Sequence, residues 1–155
     1  MKNICFYFEI HQPLRLKRYR FFDIGQDHYY YDDFQTEDRI RTMVELSYLP
    51  ANRTLLEMIR NSNGKFKCTF SISGVALEQF EQYAPELIDS FKELASTGSV
   101  EFLVEPYAHS LASVYNADEF EHQVKIHAKK IESLFGKKPT ALRNSELIYN
   151  DEIGE

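Results

Sequence analysis

Long apolar runs are the most telling absence from this sequence of 155 residues. It has no stretch of about 18 consecutive apolar residues, so no segment is expected to cross a bilayer as a helix. The apolar start could pass for a secretion signal, but it ends at Glu9 and His11 and has no small-residue cleavage site. We therefore expect no membrane partner.

Cysteine is scarce, with 2 in the chain, Cys5 and Cys68. Both lie inside apolar strand-like patterns, where a buried free thiol is the expected state and the cytoplasm is the default location. Two cysteines make no metal framework. Repeats and low-complexity tracts are absent too, and 43% hydrophobic with 27% charged residues is ordinary for a globular chain. We predict a single domain over residues 1–155.

An excess of positive charge is also missing. The chain has 18 Lys and Arg against 24 Asp and Glu, a formal net charge of −6. This balance argues against nucleic acid or an anionic membrane as the main partner, and a neutral substrate fits better.

Strand and helix patterns alternate along the chain. β-branched and aromatic runs predict strands at residues 3–10, 66–73, 100–104 and 141–145. Helical spacing begins near Ile40 and is expected to stop at Pro50, after which Asn52 caps a second short helix. Further helices are predicted from Pro85 to Gly98 and from Asn116 to Gly136.

This alternation predicts an α/β fold. Strands separated by helices of this length are parallel, with right-handed crossovers. The sequence stops just after the fourth predicted strand, without the helix that should cover it, whereas a closed (β/α) barrel takes about 250 residues. We expect parallel β/α repeats that form part of a barrel.

Ionisable residues follow the ends of these strands: His11, with the polar Gln12 beside it, follows the first, Glu105 and His109 the third, and Glu146 the fourth. The carboxyl ends of parallel strands meet at one edge of the sheet, so a shared cleft is expected.

Glu146 is the strongest candidate for chemistry. Its neighbours Arg143, Asn144 and Ser145 can hydrogen-bond a carboxylate and keep it ionised, which suits a nucleophile. Glu146 could equally pair with Arg143 or open a loop. Glu78 lies near the same rim, although an acid in the first turn of a helix is also favoured by the helix dipole.

The histidines invite a zinc hypothesis, because imidazole is a common zinc ligand. The chain has no His-x-Asp or His-x-x-x-His spacing, and His122 and His127 fall on a helix face with solvated neighbours, so we predict no metal and no cofactor. Aromatic rings in the first loop can stack on sugar faces or anchor the loop: Phe21, Phe22, Tyr29, Tyr30, Tyr31 and Phe34.

Three segments of the chain together resemble the signatures of glycoside hydrolase family 57. Phe6 to Pro13, which reads FYFEIHQP, looks like the first signature, and Gly74 to Gln79, which reads GVALEQ, looks like the second. Arg143 to Tyr149, which reads RNSELIY, looks like the third, which in the family carries the catalytic glutamate. The segments come in the right order and most resemble the family's α-amylase-like members.

The resemblance implies an incomplete (β/α) barrel with seven strands and a retaining reaction on α-glucans such as starch, glycogen or maltodextrins. It implies that Glu146 is the nucleophile and that His11 contacts the sugar near the bond being cleaved. Glu78 carries over as a further contact, and Gln12 and His109 join the candidate substrate-binding residues at this rim. Glu105 has no assigned role.

The acid/base of the family is an aspartate from a later strand, in a fourth signature. Nothing before Glu155 matches that signature, and Asp151 and Glu152 lie too close along the chain to Glu146. We therefore expect the N-terminal part of a glycosidase of the α-amylase or 4-α-glucanotransferase type. Its partners would be an α-glucan and the remainder of the same polypeptide, and the fragment alone would hydrolyse nothing.

Two alternatives stay open. A metal-dependent carbohydrate deacetylase has a similar barrel, but it needs an aspartate pair near the end of the first strand, where this chain has His11-Gln12-Pro13. A non-catalytic domain that binds sugar or a partner protein would also fit the missing acid. The sequence does not choose among hydrolysis, transglycosylation and branching.

Overall fold

A parallel sheet forms the centre of the fold. The computed structural model describes residues 4–26 and 28–154, and within them three strands pair in the order β1-β2-β3. These strands are β1 (Phe6–Ile10), β2 (Cys68–Ile72) and β3 (Val100–Phe102). Cys68 pairs with Phe6 on one side and with Val100 on the other, and both pairings are parallel. Asn3, where the first strand was predicted to begin, lies outside the described residues.

The predicted fourth strand is shorter than expected. Only one parallel bridge forms there, between Val104 and Leu142. Val104 N–H donates to the carbonyl of Ala141 at 3.0 Å, and Arg143 N–H donates to the carbonyl of Val104 at 2.9 Å. The chain then turns into a 3₁₀ segment at Ser145–Leu147, so pairing cannot continue. The predicted parallel direction of this segment is confirmed, and its predicted length is wrong.

One uninterrupted helical stretch follows the first loop. It consists of α1 (Asp33–Met43), a π-helical segment (Val44–Tyr48) and α2 (Leu49–Asn61). The prediction that Pro50 stops the helix is wrong. Leu49 N–H donates to the carbonyl of Val44, five residues back. A helix with this shifted hydrogen-bond register can include Pro50, because proline has no N–H to donate.

Asn52 does not cap a helix as predicted. It is buried within α2, and its side-chain amide donates to Ser90 Oγ at 3.1 Å. Because the helix already runs through this point, no free N–H groups remain there for a cap.

Five further helices follow along the described part of the chain. They are α3 (Gly74–Tyr83), α4 (Pro85–Ser96), α5 (Ala112–Tyr115), α6 (Ala117–Phe135) and α7 (Asp151–Gly154). The predicted ends of α6 are confirmed, since the Asn116 side chain accepts from Glu119 N–H and Gly136 closes the helix in the left-handed region at φ 73°. None of the helices in the described ranges has the length and apolar character needed to span a bilayer.

Aromatic rings fill the space between the sheet and these helices. Phe102 of β3 stacks on Phe135 of α6, with ring centroids 4.0 Å apart, and Phe91 of α4 meets Phe70 of β2 edge to face at 5.4 Å. Side chains of a strand alternate between its two faces, so the opposite face of the sheet carries polar residues: Glu9, Thr69, Ser71 and Glu101. The helices therefore bury one face and leave the other face polar.

The two cysteines differ. Cys68 is buried in β2, as predicted, and burial raises the pKa of its thiol. Cys5 is exposed, so the prediction that both thiols are buried is wrong for this residue. Cys5 precedes β1, beyond the point where strand pairing and helix packing cover the chain.

We expect Phe91→Ala to lower the free energy of unfolding by about 3–5 kcal/mol, because this fully buried ring contacts three other aromatic rings. Phe22→Ala is the matched control, since Phe22 is 83% exposed and its loss should cost less than about 0.5 kcal/mol. Denaturant unfolding followed by circular dichroism gives both values. Equal effects of the two substitutions would contradict this core.

Candidate active site

Side chains from four segments meet at the carboxyl ends of the strands, and His109 lies at their centre. Its Nε2 is 3.6 Å from Glu9 Oε1 and 3.6 Å from Glu146 Oε1. Its Nδ1 is 3.5 Å from Glu105 Oε1. One imidazole therefore faces three carboxyl groups that belong to three different parts of the chain.

Glu9 and Arg143 form a two-point ion pair beside His109. Arg143 NH1 is 2.6 Å from Glu9 Oε1, and NH2 donates to Oε2 at 2.7 Å. This geometry joins the end of β1 to the segment that carries Glu146, 134 residues further along the chain. Arg143 thus pairs with Glu9, and Glu146 faces His109.

Glu105 is a fully buried carboxyl group. Ser71 Oγ on β2 donates a hydrogen bond to its Oε2. Burial raises the pKa of Glu105, while the Ser71 hydrogen bond and the nearby His109 oppose that rise.

His127 lies directly beneath Glu105. We predicted it on a solvated helix face, but the side chain is fully buried, so that prediction is wrong. Its Nδ1 accepts from Glu105 N–H at 3.1 Å, and its Nε2 is 2.8 Å from the carbonyl of Ile72. A nitrogen that accepts carries no proton, so the ring is neutral and Nε2–H donates to Ile72. Burial lowers the pKa of His127 to about 4.

The sequence contains a signal for this burial. His127 stands four residues before Ile131 and eight before Phe135 on α6, and all three are buried. Residues spaced by four share one face of a helix, so the apolar stripe of α6 already includes position 127.

His11 stacks on His109. The two ring centroids are 4.4 Å apart and the rings are 17° from parallel. His11 Nδ1 lies 2.8 Å from Ser73 Oγ, and no residue in the described ranges bonds its Nε2. Burial lowers the pKa of His11, and the neighbouring His109 lowers it further, while Glu9 acts in the opposite direction. His11 therefore favours the neutral form.

Glu146 has an unusual backbone conformation. Its φ is 54°, that of Leu147 is 57° and that of His109 is 53°, all in the left-handed region that non-glycine residues rarely adopt. Asn144 holds this turn, since its Nδ2 donates to Ser113 Oγ at 2.8 Å and to the carbonyl of Ile148 at 2.9 Å. The Glu146 side chain itself is 71% exposed, and its carboxylate is therefore accessible to a ligand.

Gln12 and Glu78 occupy the neighbouring part of the rim. Gln12 Nε2 donates to Tyr48 Oη at 2.6 Å, and Glu78 Oε1 accepts from Tyr107 Oη at 2.6 Å. Glu78 is the fifth residue of α3, in its second turn rather than its first. Neither residue forms a hydrogen bond or ion pair with Glu146 or His109 within the described ranges, so the structure brings His11, His109 and Glu146 together and leaves these two beside them.

The first loop exposes most of its aromatic rings, and Phe21 and Phe22 are too exposed to anchor it. Tyr29 Oη donates to Asp33 Oδ1 at 2.6 Å, and this hydrogen bond raises the pKa of Tyr29 to about 12. A cavity of about 240 Å³ lies between the loop and α3, and its walls include Tyr31 and Glu78. The loop therefore offers aromatic surface next to the rim.

No group of three or more His, Cys, Asp and Glu side chains in residues 4–26 and 28–154 is arranged to hold a metal ion. The carboxyl groups around His109 instead face nitrogen atoms of His109 and Arg143.

Comparison with known proteins shows which family this chain belongs to. The sequence model of glycosyl hydrolase family 57 matches residues 5–155, nearly the whole chain. The chain belongs to glycosyl hydrolase family 57. A family relative from Methanocaldococcus jannaschii, described as "Putative alpha-amylase", is 36% identical over 158 aligned positions. That alignment covers 98% of this chain but 32% of the relative, so the chain spans about a third of its length.

Solved structures agree with the fold. The 4-alpha-glucanotransferase of Thermococcus litoralis superposes with a TM-score of 0.66 at 19% identity, over 96% of this chain and 20% of that one. A family 57 branching enzyme of Thermococcus kodakaraensis and an alpha-amylase of Thermotoga maritima each give 0.59 at 15% identity. They match 92% and 96% of this chain and 33% and 36% of their own. The prediction of an α/β fold that matches part of a larger family 57 structure is confirmed.

His127 predicts a pH-dependent stability. Its pKa of about 4 in the folded chain is below the ordinary 6.5, so the unfolded chain takes up the proton first as the pH falls. The contribution of His127 is complete above pH 6.5, and roughly 3 kcal/mol of it should be lost by pH 4.

Urea unfolding of the wild type and of His127→Gln across this range measures that loss. We expect the difference in unfolding free energy between the two proteins to shrink as the pH falls. His122→Gln, at an exposed position of the same helix, is the matched control for the substitution itself. A His127→Gln difference that is independent of pH would contradict the buried neutral imidazole.

Proposed function

We propose that this chain is the N-terminal part of the catalytic domain of a retaining enzyme that acts on α-glucans, with Glu146 as the nucleophile. One observation carries the proposal. In the segment that resembles the third family signature, the Glu146 carboxylate is exposed at the rim, while the backbone beneath it is strained and held by Asn144. Strained residues with exposed functional groups are typical of active sites.

The proposed reaction has two steps. An Oε atom of Glu146 attacks the anomeric carbon, the bond to the leaving oxygen breaks, and a covalent glycosyl-enzyme forms that water then hydrolyses. A second carboxyl group, about 5 Å away in retaining enzymes, must protonate the leaving oxygen. We propose that this acid/base lies outside residues 1–155 and that the remainder of the same polypeptide supplies it.

The substrate assignment rests on the relatives and on charge. The relatives are named alpha-amylase, 4-alpha-glucanotransferase and branching enzyme, and α-glucans such as starch, glycogen and maltodextrins are neutral. A chain with net charge −6 suits a neutral substrate better than a polyanion. Free thiols at Cys5 and Cys68 favour the cytoplasm as its compartment.

Four residues are proposed as substrate contacts: His11, Gln12, Glu78 and His109. His11 has the clearest role. A neutral imidazole whose Nδ1 is already engaged by Ser73 can offer Nε2 to a sugar hydroxyl without adding charge to the site. Gln12 and Glu78 would contact sugar units on the neighbouring part of the rim, where tyrosine rings of the first loop add stacking surface.

An activated substrate tests Glu146 without the missing acid. Fluoride leaves a 5-fluoro-α-glucosyl fluoride without protonation, and the fluorine at C5 slows the second step, so an ester with the nucleophile accumulates. We expect mass spectrometry of the intact chain to show the added glycosyl group and peptide mapping to place it on Glu146. Glu146→Gln should form no adduct, and Glu152→Gln should label like the wild type.

Natural substrates separate the alternatives. The chain alone should release no sugar from maltoheptaose, and robust hydrolysis would overturn the proposal that its proton donor lies elsewhere. Calorimetry with maltooligosaccharides should show binding that Glu146→Gln retains. Such binding with no adduct in the wild type would favour a non-catalytic sugar-binding domain, a reading that the exposed rings of the first loop support.

A further inference from the structure

The proposed reaction gives Glu105 no part, although burying a carboxyl group is costly unless its hydrogen bonds are supplied. Glu105 is fully buried at the carboxyl end of β3. Both its carboxyl group and its backbone N–H have partners, and these partners lie within or next to the site of Glu146.

Both ends of Glu105 are tied to β2. Ser71 Oγ donates to the carboxyl group, and His127 connects the Glu105 N–H with the carbonyl of Ile72, the residue after Ser71. These contacts fix the residue in rotation and in position along the strand. The other carboxyl oxygen, Oε1, faces His109 Nδ1 at 3.5 Å.

His109 connects the fixed Glu105 to Glu146. Its Nδ1 faces Glu105, and its Nε2 lies at 3.6 Å from both Glu146 and Glu9. The stacked ring of His11 covers one of its faces. The ring therefore has little freedom to turn, and its backbone is held in the left-handed region at φ 53°.

We propose that Glu105 and His109 form a positioning pair for the Glu146 carboxylate, and that His127 fixes this pair to the sheet. The inference deepens the proposed function, since it takes Glu146 as the nucleophile. Glu105 touches no substrate in this arrangement, and it acts through His109.

Charge supports the pair. Glu9 and Glu146 approach the same nitrogen of His109, and two carboxylates this close repel each other unless a cation lies between them. Arg143 balances Glu9 through its two-point contact, so the Glu146 carboxylate faces His109 Nε2 beside a glutamate whose charge is already compensated. Glu105 faces the other nitrogen of the same ring. His127 stays neutral, because burial lowers its pKa, so it adds no charge beneath the pair.

The first test measures whether Glu105 and His109 are linked, and it needs no catalysis. In ¹³C NMR of the labelled chain, the Glu105 carboxyl carbon should titrate above the ordinary range, since burial raises its pKa. In His109→Gln the midpoint should rise further, because the nearby His109 lowers the pKa of Glu105. An unchanged midpoint in this variant would overturn the pair.

The second test measures positioning itself. In Glu105→Gln and His109→Gln we expect the labelling of Glu146 by the activated fluoride to slow roughly 100-fold at saturation, because small misplacements of reacting groups have large effects on rate. Maltotriose affinity should be retained in Glu105→Gln. The control is Glu101→Gln on the same strand, whose exposed carboxylate accepts from Thr140 away from the rim, and it should label at the wild-type rate.

The outcomes separate this inference from the proposed function. A wild type that never labels refutes Glu146 as nucleophile, while the carboxyl titration still decides whether the pair exists. A wild type that labels, with both variants labelling equally fast, refutes the positioning role. ¹⁵N NMR of the wild type tests the role of His127. An unprotonated Nδ1 on His127 at pH 7 is expected, and a protonated Nδ1 would refute the proposal that His127 fixes the pair to the sheet.

Discussion

Parallel pairing of the strands is the constraint on which the rest of this structure depends. Because β1, β2 and β3 run in one direction, their carboxyl ends meet at one edge, and every side chain of the rim follows from that edge. The same pairing makes one face of the sheet apolar, where Phe70 and Phe102 meet the helices, and leaves the other face polar. A helix on the apolar face then supplies His127, whose ring ties the ends of β2 and β3 together.

The side chains of the rim are held mainly by contacts between charged and polar groups. Glu9 is held by Arg143, Glu105 is buried against Ser71, and His109 lies among the carboxyl groups of Glu9, Glu105 and Glu146. The groups of such a polar network polarise one another, so the loss of one side chain affects the next. The left-handed backbone at Glu146 fits this view, because strain persists only where the surroundings over-determine a conformation.

Much of the fold could be predicted from the sequence, and the errors have physical reasons. The first three strands, the Asn116 cap and the Gly136 stop depend on residues close together in sequence, and they were predicted correctly. Pro50 was misread because a π segment shifts the hydrogen-bond register and removes the bond that proline would break. Cys5 was misread because an apolar pattern does not show where pairing begins. The fourth strand was overextended because the left-handed turn at Glu146 and Leu147 is not visible in residue types.

By itself the sequence determined the family, the α/β class and the segments that carry the candidate site, because signatures and periodicity are local properties of the chain. Only the tertiary structure decided which distant side chains contact each other. Arg143 pairs with Glu9 across 134 residues, and the imidazole of His127 lies buried beneath Glu105. Such contacts depend on how distant segments come together at the edge of the sheet, and no local pattern encodes that geometry.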